Sequence, residues 1–443
     1  MTAPSQAAAS CPVCQKPVLP DSAGFLECRC GWGGPGDPVE SARGFSRTVT
    51  LLDRRWASSI AWGDLKAIAA RKGPARGANP LYVLLLVALA TFIYLALGAL
   101  SALVISLLVS YVETGAWVGV VLAGAILFYL YYSLFGLPGR SRALVARLAD
   151  YPRLEALTRE VAAGLKAPAP RWVVVFPGAN FFIGQRMLWG KALLPQHVLG
   201  IGVAGLALLS EQELRAVLAH ELAHRRYAQT LLGEYIRRAG FGLYGIVSAA
   251  RQGMATQTAP AMRTRIGRNQ FGNVGVMLGV ILIWVVTLPL RLLWTVFHLL
   301  DLRLSHLHEF QADAAAIRLY GTETFISMQT GVLAAGATLR GAGAGLRQEM
   351  ARHNNPNFFS ELRRHYAELP ADYHGEMRFK ATREYRTLQR THPTMPDRIR
   401  AALIQAVPPS PATPAAPAWQ VLTPAGATDP GAIELEMTKR MLG

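Results

Sequence analysis

Charged side chains are scarce in this sequence of 443 residues. Only 16% of the residues are charged, whereas 51% are hydrophobic. Soluble domains average about 25% charged residues, so the composition argues against a wholly soluble chain and indicates membrane segments. Acidic residues are the scarcer kind, 28 against 45 basic ones, and the formal net charge is +17. We interpret this excess as basic loops that face an anionic lipid bilayer, because no aromatic-basic platform supports nucleic acid as a partner.

Cysteine is also rare, and all four cysteines lie before residue 31. No disulfide framework can therefore run through the body of the chain. Cys11 and Cys14 form one close pair, Cys28 and Cys30 another, and four thiolates so spaced can close a tetrahedral zinc site. A segment this small needs metal to fold. We therefore predict a zinc-ribbon-like unit over residues 1–35 with a structural zinc ion; a redox pair or thiols without function are the alternatives.

Charged-then-apolar order is lacking in the first residues as well: Met1 to Ser5 are polar, so we expect no cleavable signal peptide in this stretch. Residues 36–80 are basic and contain Gly and Pro. We expect them to form either a linker or a short amphipathic helix on the membrane surface. Residues 81–137 contain two long apolar runs, which predict a transmembrane helical hairpin.

The charges around this hairpin predict its orientation. Basic residues such as Arg76 and Arg147 lie outside it, whereas its central connection carries only Glu113. The positive-inside rule then places both flanks in the cytoplasm, so we expect a multi-pass protein of the cytoplasmic (inner) membrane. A later apolar run, residues 274–300, contains Pro289. We expect a helix or helical hairpin embedded in the bundle or in the membrane surface, with four full spans as the alternative.

One short stretch carries the chemistry, Ala219–His224. His220 and His224 are four residues apart, so on an α-helix they share a face and can bind one metal ion, while Glu221 can reach a water on that ion. This H-E-x-x-H pattern is typical of zinc peptidases. Ser210 and Glu213 form a capping box that predicts the start of the helix. The alternative is a chance match on a helix with two satisfied histidines.

The surrounding pattern predicts a mainly α-helical chain with a small β-sheet. Apolar residues from Leu154 to Leu165 recur at helical spacing and end at a Pro-containing break. Residues 171–176 and 198–202 are short apolar runs that predict strands. Strands just before a zinc helix can hold a peptide substrate by adding it to the edge of a sheet.

A zinc site with only two histidines is one protein ligand short, because catalytic zinc sites usually have three. Glu309 and Asp313 lie four residues apart on a later helical segment and share a face. One carboxylate can bind the metal while the other orients a histidine ring. His306 and His308 are competing ligands, but neither has an acidic partner at that spacing, so the chemistry favours Glu309.

These motifs together resemble those of the HtpX-type integral-membrane zinc metallopeptidases, relatives of the CAAX prenyl endopeptidases and of the mitochondrial Oma-type protease. The resemblance rests on Leu218–His224, followed by an apolar segment and by Glu309-x-x-Ala-Asp313. Residues 178–182 resemble the Asn-Ala-Phe segment of that family, and residues 392–399 resemble its late His-Pro…Arg-Ile segment. The similarity covers roughly residues 140–405.

This resemblance implies a zincin-type (gluzincin) domain over residues 140–405 and a role for each matching residue. The implied zinc ligands are His220, His224 and Glu309; the general base is Glu221; the partner that orients His220 is Asp313; substrate or oxyanion contacts are Asn180 and His392; and Arg398 has a supporting role.

Together these inferences predict a membrane-bound zinc endopeptidase whose catalytic domain faces the cytoplasm. Its expected substrates are misfolded or membrane proteins, and its expected metals are one catalytic and one structural Zn²⁺. A catalytically degenerate membrane scaffold or holdase and a CAAX-type prenyl-protein endopeptidase are the alternatives. Residues 406–443 form a Pro/Ala-rich tail, which we expect to be flexible apart from a short helix near Ile433 to Met441.

Overall fold

The structure is a computed structural model. It describes residues 9–21, 23–74, 77–135, 143–186, 196–227, 231–263, 270–370, 372, 374–375, 383–410, 416–427, 429 and 431–442. Predictions for Met1 to Ser5, for the basic flank at 136–142 and for tail residues 411–415 lie outside these residues. The predicted architecture, mainly helical with a small sheet, is confirmed.

The elements follow in chain order. The strands are β1 Ala9–Ser10, β2 Pro17–Val18, β3 Leu144–Arg147, β4 Trp172–Phe176, β5 Phe181–Arg186 and β6 Gln196–Gly202. The helices are α1 Gly44–Arg71, α2 Pro80–Glu113, α3 Trp117–Phe135, α4 Pro152–Leu165, α5 Val203–Leu208, α6 Glu211–Tyr227, α7 Leu231–Arg263, α8 Gln270–Tyr320, α9 Thr322–Arg352, α10 Phe358–Glu368, α11 Met395–Gln405 and α12 Ala432–Leu442.

The chain divides into two compact units. The first comprises Met1–Arg76, Ser141–Ala228 and Ser305–Gly443, and the second comprises Gly77–Arg140 and Gln229–Leu304. The boundary thus falls inside α8, whose later part belongs to the first unit.

The first unit is built on a four-stranded mixed sheet of order β3-β4-β6-β5. The central pair β4 and β6 is parallel, whereas the two outer strands are antiparallel to their neighbours. Helices α4, α5, α6 and α9 contribute to a single large core with β4 and β6. The predicted helix and both predicted strands are present; β3 and β5, which the sequence did not predict, extend the sheet on either side.

The basic segment after the cysteines is a helix of 28 residues, α1. Leu65 and Ile68 on one side of it are buried against Phe310 of α8 and Ala401 of α11. The carboxylate of Asp53 accepts a hydrogen bond of 3.1 Å from the backbone N–H of Leu388. Residues 44–71 therefore form a helix and not a solvated linker, and one side of this helix packs within the first unit. Its position on a membrane surface stays a prediction.

The C-terminal tail differs from the flexible linker that its composition predicted. A short 3-10 helix, Ala418–Leu422, and α12 place Val421, Leu422 and Met437 in the core of the first unit. The backbone N–H of Glu211 donates to the carbonyl of Ala416 at 2.8 Å. The expected short helix is present, but apolar residues spaced among the prolines attach the tail to the core.

The second unit is a bundle of α2, α3, α7 and the first part of α8. Among the side chains that the structure describes, its core comes from three of these helices: Leu86, Ala90, Ile93 and Leu97 of α2, Ile236, Ala239 and Leu243 of α7, and Phe297 and Leu304 of α8. Other apolar side chains point outward, and Leu81 and Val118 are 75% and 77% exposed. Such outward apolar faces are what a lipid environment accommodates.

The predicted membrane segments have different outcomes. Among the described residues, one helix, α2, is long and apolar enough to cross a membrane, and the apolar part of α3, Trp117–Phe128, is shorter. The transmembrane hairpin therefore stays a prediction. Residues 274–300 lie in α8, a single helix of 51 residues that continues through Pro289, so the structure has the helix expected there and not a helical hairpin.

Candidate active site

The H-E-x-x-H stretch lies on α6, and the predicted capping box is present at its start. The side chain of Glu213 accepts from the backbone N–H of Ser210 at 2.8 Å, and the Ser210 hydroxyl accepts from the N–H of Glu213 at 3.3 Å. Leu214, Leu218 and Leu222 are fully buried on one side of the helix. This buried stripe fixes the rotation of α6, so the direction in which its two histidines project is determined by the core.

Three side chains converge as predicted. The Nε2 atoms of His220 and His224 lie 3.1 Å apart. Glu309 of α8 places Oε2 3.6 Å from Nε2 of His220 and Oε1 3.4 Å from Nε2 of His224. Neither His306 nor His308 belongs to this group of candidate ligands.

These distances fit a zinc ion. Tetrahedral zinc with ligand bonds of about 2.0–2.1 Å separates its nitrogen and oxygen ligands by about 3.3–3.4 Å. The three observed separations of 3.1, 3.4 and 3.6 Å bracket that value. Two imidazoles and one carboxylate are also the ligand set of one class of catalytic zinc site, which keeps its fourth position for water.

Asp313 lies one helical turn after Glu309 and contacts the far side of the first histidine. Its Oδ1 is 3.0 Å from Nδ1 of His220, so it can fix both the ring and the tautomer. Arg398 of α11 donates from Nε to Oδ2 of Asp313 at 2.9 Å and from Nη2 to Oδ1 at 2.5 Å. Burial alone would raise the pKa of Asp313, but the guanidinium outweighs it and holds the pKa below its ordinary value.

Glu221 faces the sheet. Its Oε2 accepts a hydrogen bond of 3.1 Å from the backbone N–H of Ile183 in β5. Because that N–H points away from β6, it marks the free edge of β5, the outermost strand of the described sheet. Burial raises the pKa of Glu221 to about 7, close to the value that suits a group exchanging protons at neutral pH.

The other residues that the sequence singled out, His392, Asn180 and His306, are not part of the group of three candidate ligands. His392 directs Nδ1 to Oε1 of Glu309 at 2.8 Å, while its side chain is 66% exposed. Asn180 is exposed immediately before β5, and its role stays a prediction. His306 is buried, with Nδ1 3.6 Å from the carboxylate of Asp64 in α1.

The four cysteines form a second group of candidate metal ligands. The Sγ atoms of Cys11 and Cys30 are 3.5 Å apart, and those of Cys14 and Cys28 are 3.4 Å apart. Both separations are far longer than a disulfide bond of about 2.05 Å. They are close to the roughly 3.8 Å between thiolates on a tetrahedral zinc ion with bonds of about 2.3 Å. A hydrogen bond from the backbone N–H of Lys16 lowers the pKa of the Cys14 thiol to about 7, which favours its thiolate form, whereas burial raises the pKa of the Cys28 and Cys30 thiols.

A helix with two histidines and a glutamate in the H-E-x-x-H spacing, completed by a glutamate from a second helix, defines a zinc metallopeptidase centre of the zincin class. The model of Peptidase family M48 matches residues 149–405, and the chain belongs to that family. Peptidases of this family are zinc-dependent, in agreement with the resemblance noted in the sequence. No curated protein and no solved structure matches the chain.

Three contacts at this centre were not predicted from the sequence. They are the bidentate pair of Arg398 with Asp313, the approach of His392 to Glu309, and the hydrogen bond from Ile183 to Glu221. Each joins residues far apart in the chain. A sequence signal existed for the last, because Phe181–Arg186 begins with three residues of high β-propensity just before the zinc helix.

Proposed function

We propose that the chain is a membrane-bound zinc endopeptidase that hydrolyses peptide bonds in misfolded or membrane proteins. The observation that carries the proposal is the convergence of His220, His224 and Glu309 with Glu221 beside them. His220, His224 and Glu309 would hold the zinc ion. When bound, zinc would lower the pKa of a water at the open position and polarise the scissile carbonyl.

The protein's own groups would carry the proton chemistry. Glu221 would take the proton of the attacking water and return it to the leaving amine, as a general base and then a general acid. The N–H of Ile183 holds one of its carboxylate oxygens, so the other is left to face the water. Asp313, itself held by Arg398, would keep His220 in the tautomer that presents Nε2 to the metal.

The free edge of β5 suggests how a substrate is held. An extended peptide added there would pair its backbone with other groups of this edge of β5 and run past Glu221, because the Ile183 N–H that holds Glu221 lies on the same edge. Backbone pairing recognises any extended chain, which fits unfolded polypeptides as substrates. We propose His392, exposed at the rim and anchored through Nδ1, as a contact to the substrate or to the oxyanion.

The membrane part of the proposal rests on the second unit. The length of α2 and the outward apolar side chains of α2 and α3 support insertion in a bilayer. The basic residues around these helices support a cytoplasmic position for the catalytic centre.

The test is Glu221→Gln in the full-length protein, purified in lipid with zinc. We expect unchanged zinc content, because Glu221 is not a ligand, and a loss of at least about 100-fold in cleavage of an unfolded polypeptide. The matched control is Glu160→Gln, an exposed glutamate of α4, which should cleave like the parent.

Equal turnover by the parent and the Glu221→Gln protein would refute the proposal. A parent that cleaves nothing, with a glutamine variant that keeps full biological activity, would instead establish a zinc-containing scaffold. Hydrolysis restricted to prenylated peptides would establish the CAAX-type endopeptidase.

A further inference from the structure

The cysteine unit at the N-terminus contacts the helix that carries Arg398. Phe25, in the loop between the two cysteine pairs, is buried against Met395 and Ile399 of α11. The residue that follows, Arg400, crosses to the same loop: its guanidinium lies 2.5 Å from the carboxylate of Asp21 and 3.2 Å from that of Glu27. Both apolar and ionic contacts therefore join this loop to α11.

The ionic contacts of Glu27 and Arg400 belong to a largely buried network of ion pairs. Glu27 is also 2.8 Å from Arg386, and Arg386 and Arg400 both pair with Asp397 of α11. The side chains of Arg386, Arg400 and Asp397 are 8%, 5% and 1% exposed. Two guanidinium groups thus face Asp397 and Glu27. Removing the charge of Glu27 would leave the two guanidinium groups with Asp397 and the partly exposed Asp21, and would take from the buried Arg386 one of its two carboxylate partners, a loss that low-polarity surroundings penalise.

The same short helix reaches the catalytic centre from its other side. Arg398 lies between Asp397 and Arg400 in the sequence and donates twice to Asp313, the partner of His220. A shift of α11 at Arg400 therefore moves Arg398 as well. The cysteine unit is therefore connected to the metal ligand His220 through α11 and through the bidentate ion pair of Arg398 with Asp313.

The loop itself depends on the cysteines. Cys14 and Cys28 enclose Asp21, Phe25 and Glu27, and their Sγ atoms are 3.4 Å apart. Asp21 also accepts from the backbone N–H groups of Ala23 and Phe25, both at 2.9 Å, so the loop has a defined turn. A cation bound by all four Sγ atoms would hold the two ends of this loop together.

We propose that the cysteine unit is a metal-dependent brace for the catalytic centre. A zinc ion on Cys11, Cys14, Cys28 and Cys30 fixes the loop that carries Asp21, Phe25 and Glu27, and that loop holds α11 so that Arg398 positions Asp313 and His220. Glu27 and Arg400 are positioning residues in this arrangement. The kinetic consequence rests on the proposed peptidase function, whereas the consequence for metal affinity does not.

The experiment compares Glu27→Gln with Glu40→Gln in the full-length protein. Glu40 belongs to the same unit, but its carboxylate accepts from the Trp32 indole at 2.7 Å, a contact that glutamine can keep. We expect both variants to retain two zinc ions per chain. Glu27→Gln should weaken zinc at the catalytic centre about threefold or more, somewhat below the 10–100-fold typical of losing a direct partner of a ligand. The readout is competition with a chelator.

The visible spectrum of the Co²⁺-substituted protein gives a second measurement. A simple loss of folded protein would lower its intensity but would not shift its bands. The visible spectrum of Co²⁺ at the catalytic centre should shift in Glu27→Gln and match the parent in Glu40→Gln. For peptide cleavage at limiting zinc, the apparent kcat should fall while KM stays within about twofold, because the substrate edge is untouched, and kcat should recover at saturating zinc. Joint substitution of Cys11→Ser and Cys14→Ser should leave one zinc ion per chain and the same spectral shift.

A double-mutant cycle tests whether the effect of Glu27 on the catalytic centre is transmitted through Asp313. If Glu27 acts through Arg398 and Asp313, its effect on zinc affinity should disappear when Asp313→Asn is already present. Should Glu27→Gln fold poorly, Asp21→Asn is the milder variant, because Asp21 is one-quarter exposed.

Zinc affinity and cobalt spectra that match the parent in both the Glu27 and the cysteine variants would overturn the brace. So would equal changes in the Glu40 control. If the parent cleaves no peptide, the proposed function fails, but the affinity and spectral measurements still decide the brace.

Discussion

Asp313→Asn is the sharpest test of how the protein prepares His220 for a metal. In the parent, Oδ1 of Asp313 accepts from Nδ1 of His220 at 3.0 Å and from Arg398 at 2.5 Å, while Oδ2 accepts from Arg398 at 2.9 Å. An amide has only one oxygen. Either orientation of the substituted amide therefore sets an N–H₂ donor against at least one N–H donor of Arg398 or His220.

The size of the effect follows from that mismatch. His220 loses the negative charge that raises its basicity, and Arg398 keeps a more distant carboxylate oxygen, Oε2 of Glu309 at 3.7 Å. Loss of such a partner weakens metal binding by about 10–100-fold, equivalent to about 1.4–2.8 kcal/mol. We expect a decrease in zinc affinity within this range and little change in kcat once zinc is saturating.

The assay is chelator competition for zinc followed by peptide cleavage at saturating zinc. Asp150→Asn is the control, because Asp150 is exposed in the same unit. A zinc affinity within twofold of the parent in Asp313→Asn would refute the reasoning. It would mean that the ring of His220 is fixed by packing alone.

Three further outcomes are expected. Ser210→Ala removes the hydroxyl that caps α6 and should lower the free energy of unfolding by about 1 kcal/mol, measured by denaturant titration; no change would mean that Glu213 alone suffices. Met437→Ala should cost about 2–5 kcal/mol in the same titration because Met437 is fully buried, whereas a loose tail would give no loss. His392→Ala should lower kcat about 100-fold with zinc content intact, and an unchanged kcat would remove His392 from the centre.

The parts of the centre that the sequence predicted are those encoded by local spacing. His220, Glu221 and His224 lie within one helical turn, and the capping box of Ser210 with Glu213 spans three residues. Glu309 required a chemical argument, namely that a catalytic zinc ion needs a third ligand. Each of these inferences depended on helical geometry, which is fixed well enough for residue spacing alone to determine which side chains meet.

The parts that the sequence did not predict depend on pairing between distant segments. The ion pairs of Arg386 and Arg400 with Glu27 join stretches separated by several hundred residues, and any exposed carboxylate would have suited their charge equally well. Strand β5 has six residues and lies at one end of the strand order β3-β4-β6-β5. Its position there depends on how β6 pairs with β4 and β5, which the sequence of β5 alone does not determine. The Pro/Ala-rich composition of the tail wrongly indicated a flexible segment, because a few apolar residues between and after the prolines are buried in the core.

The position of the tail also determines when the centre is complete during synthesis. The carbonyl of Ala416 accepts from the first N–H of the zinc helix, and the N–H of Ala418 donates to Leu209 just before that helix. Both residues, like Arg398, come well after the zinc helix in the chain and so leave the ribosome after it. A growing chain therefore carries its H-E-x-x-H helix for a long interval before the residues that secure it are made. A chain interrupted between this helix and Ala416 therefore lacks the contacts that complete the centre.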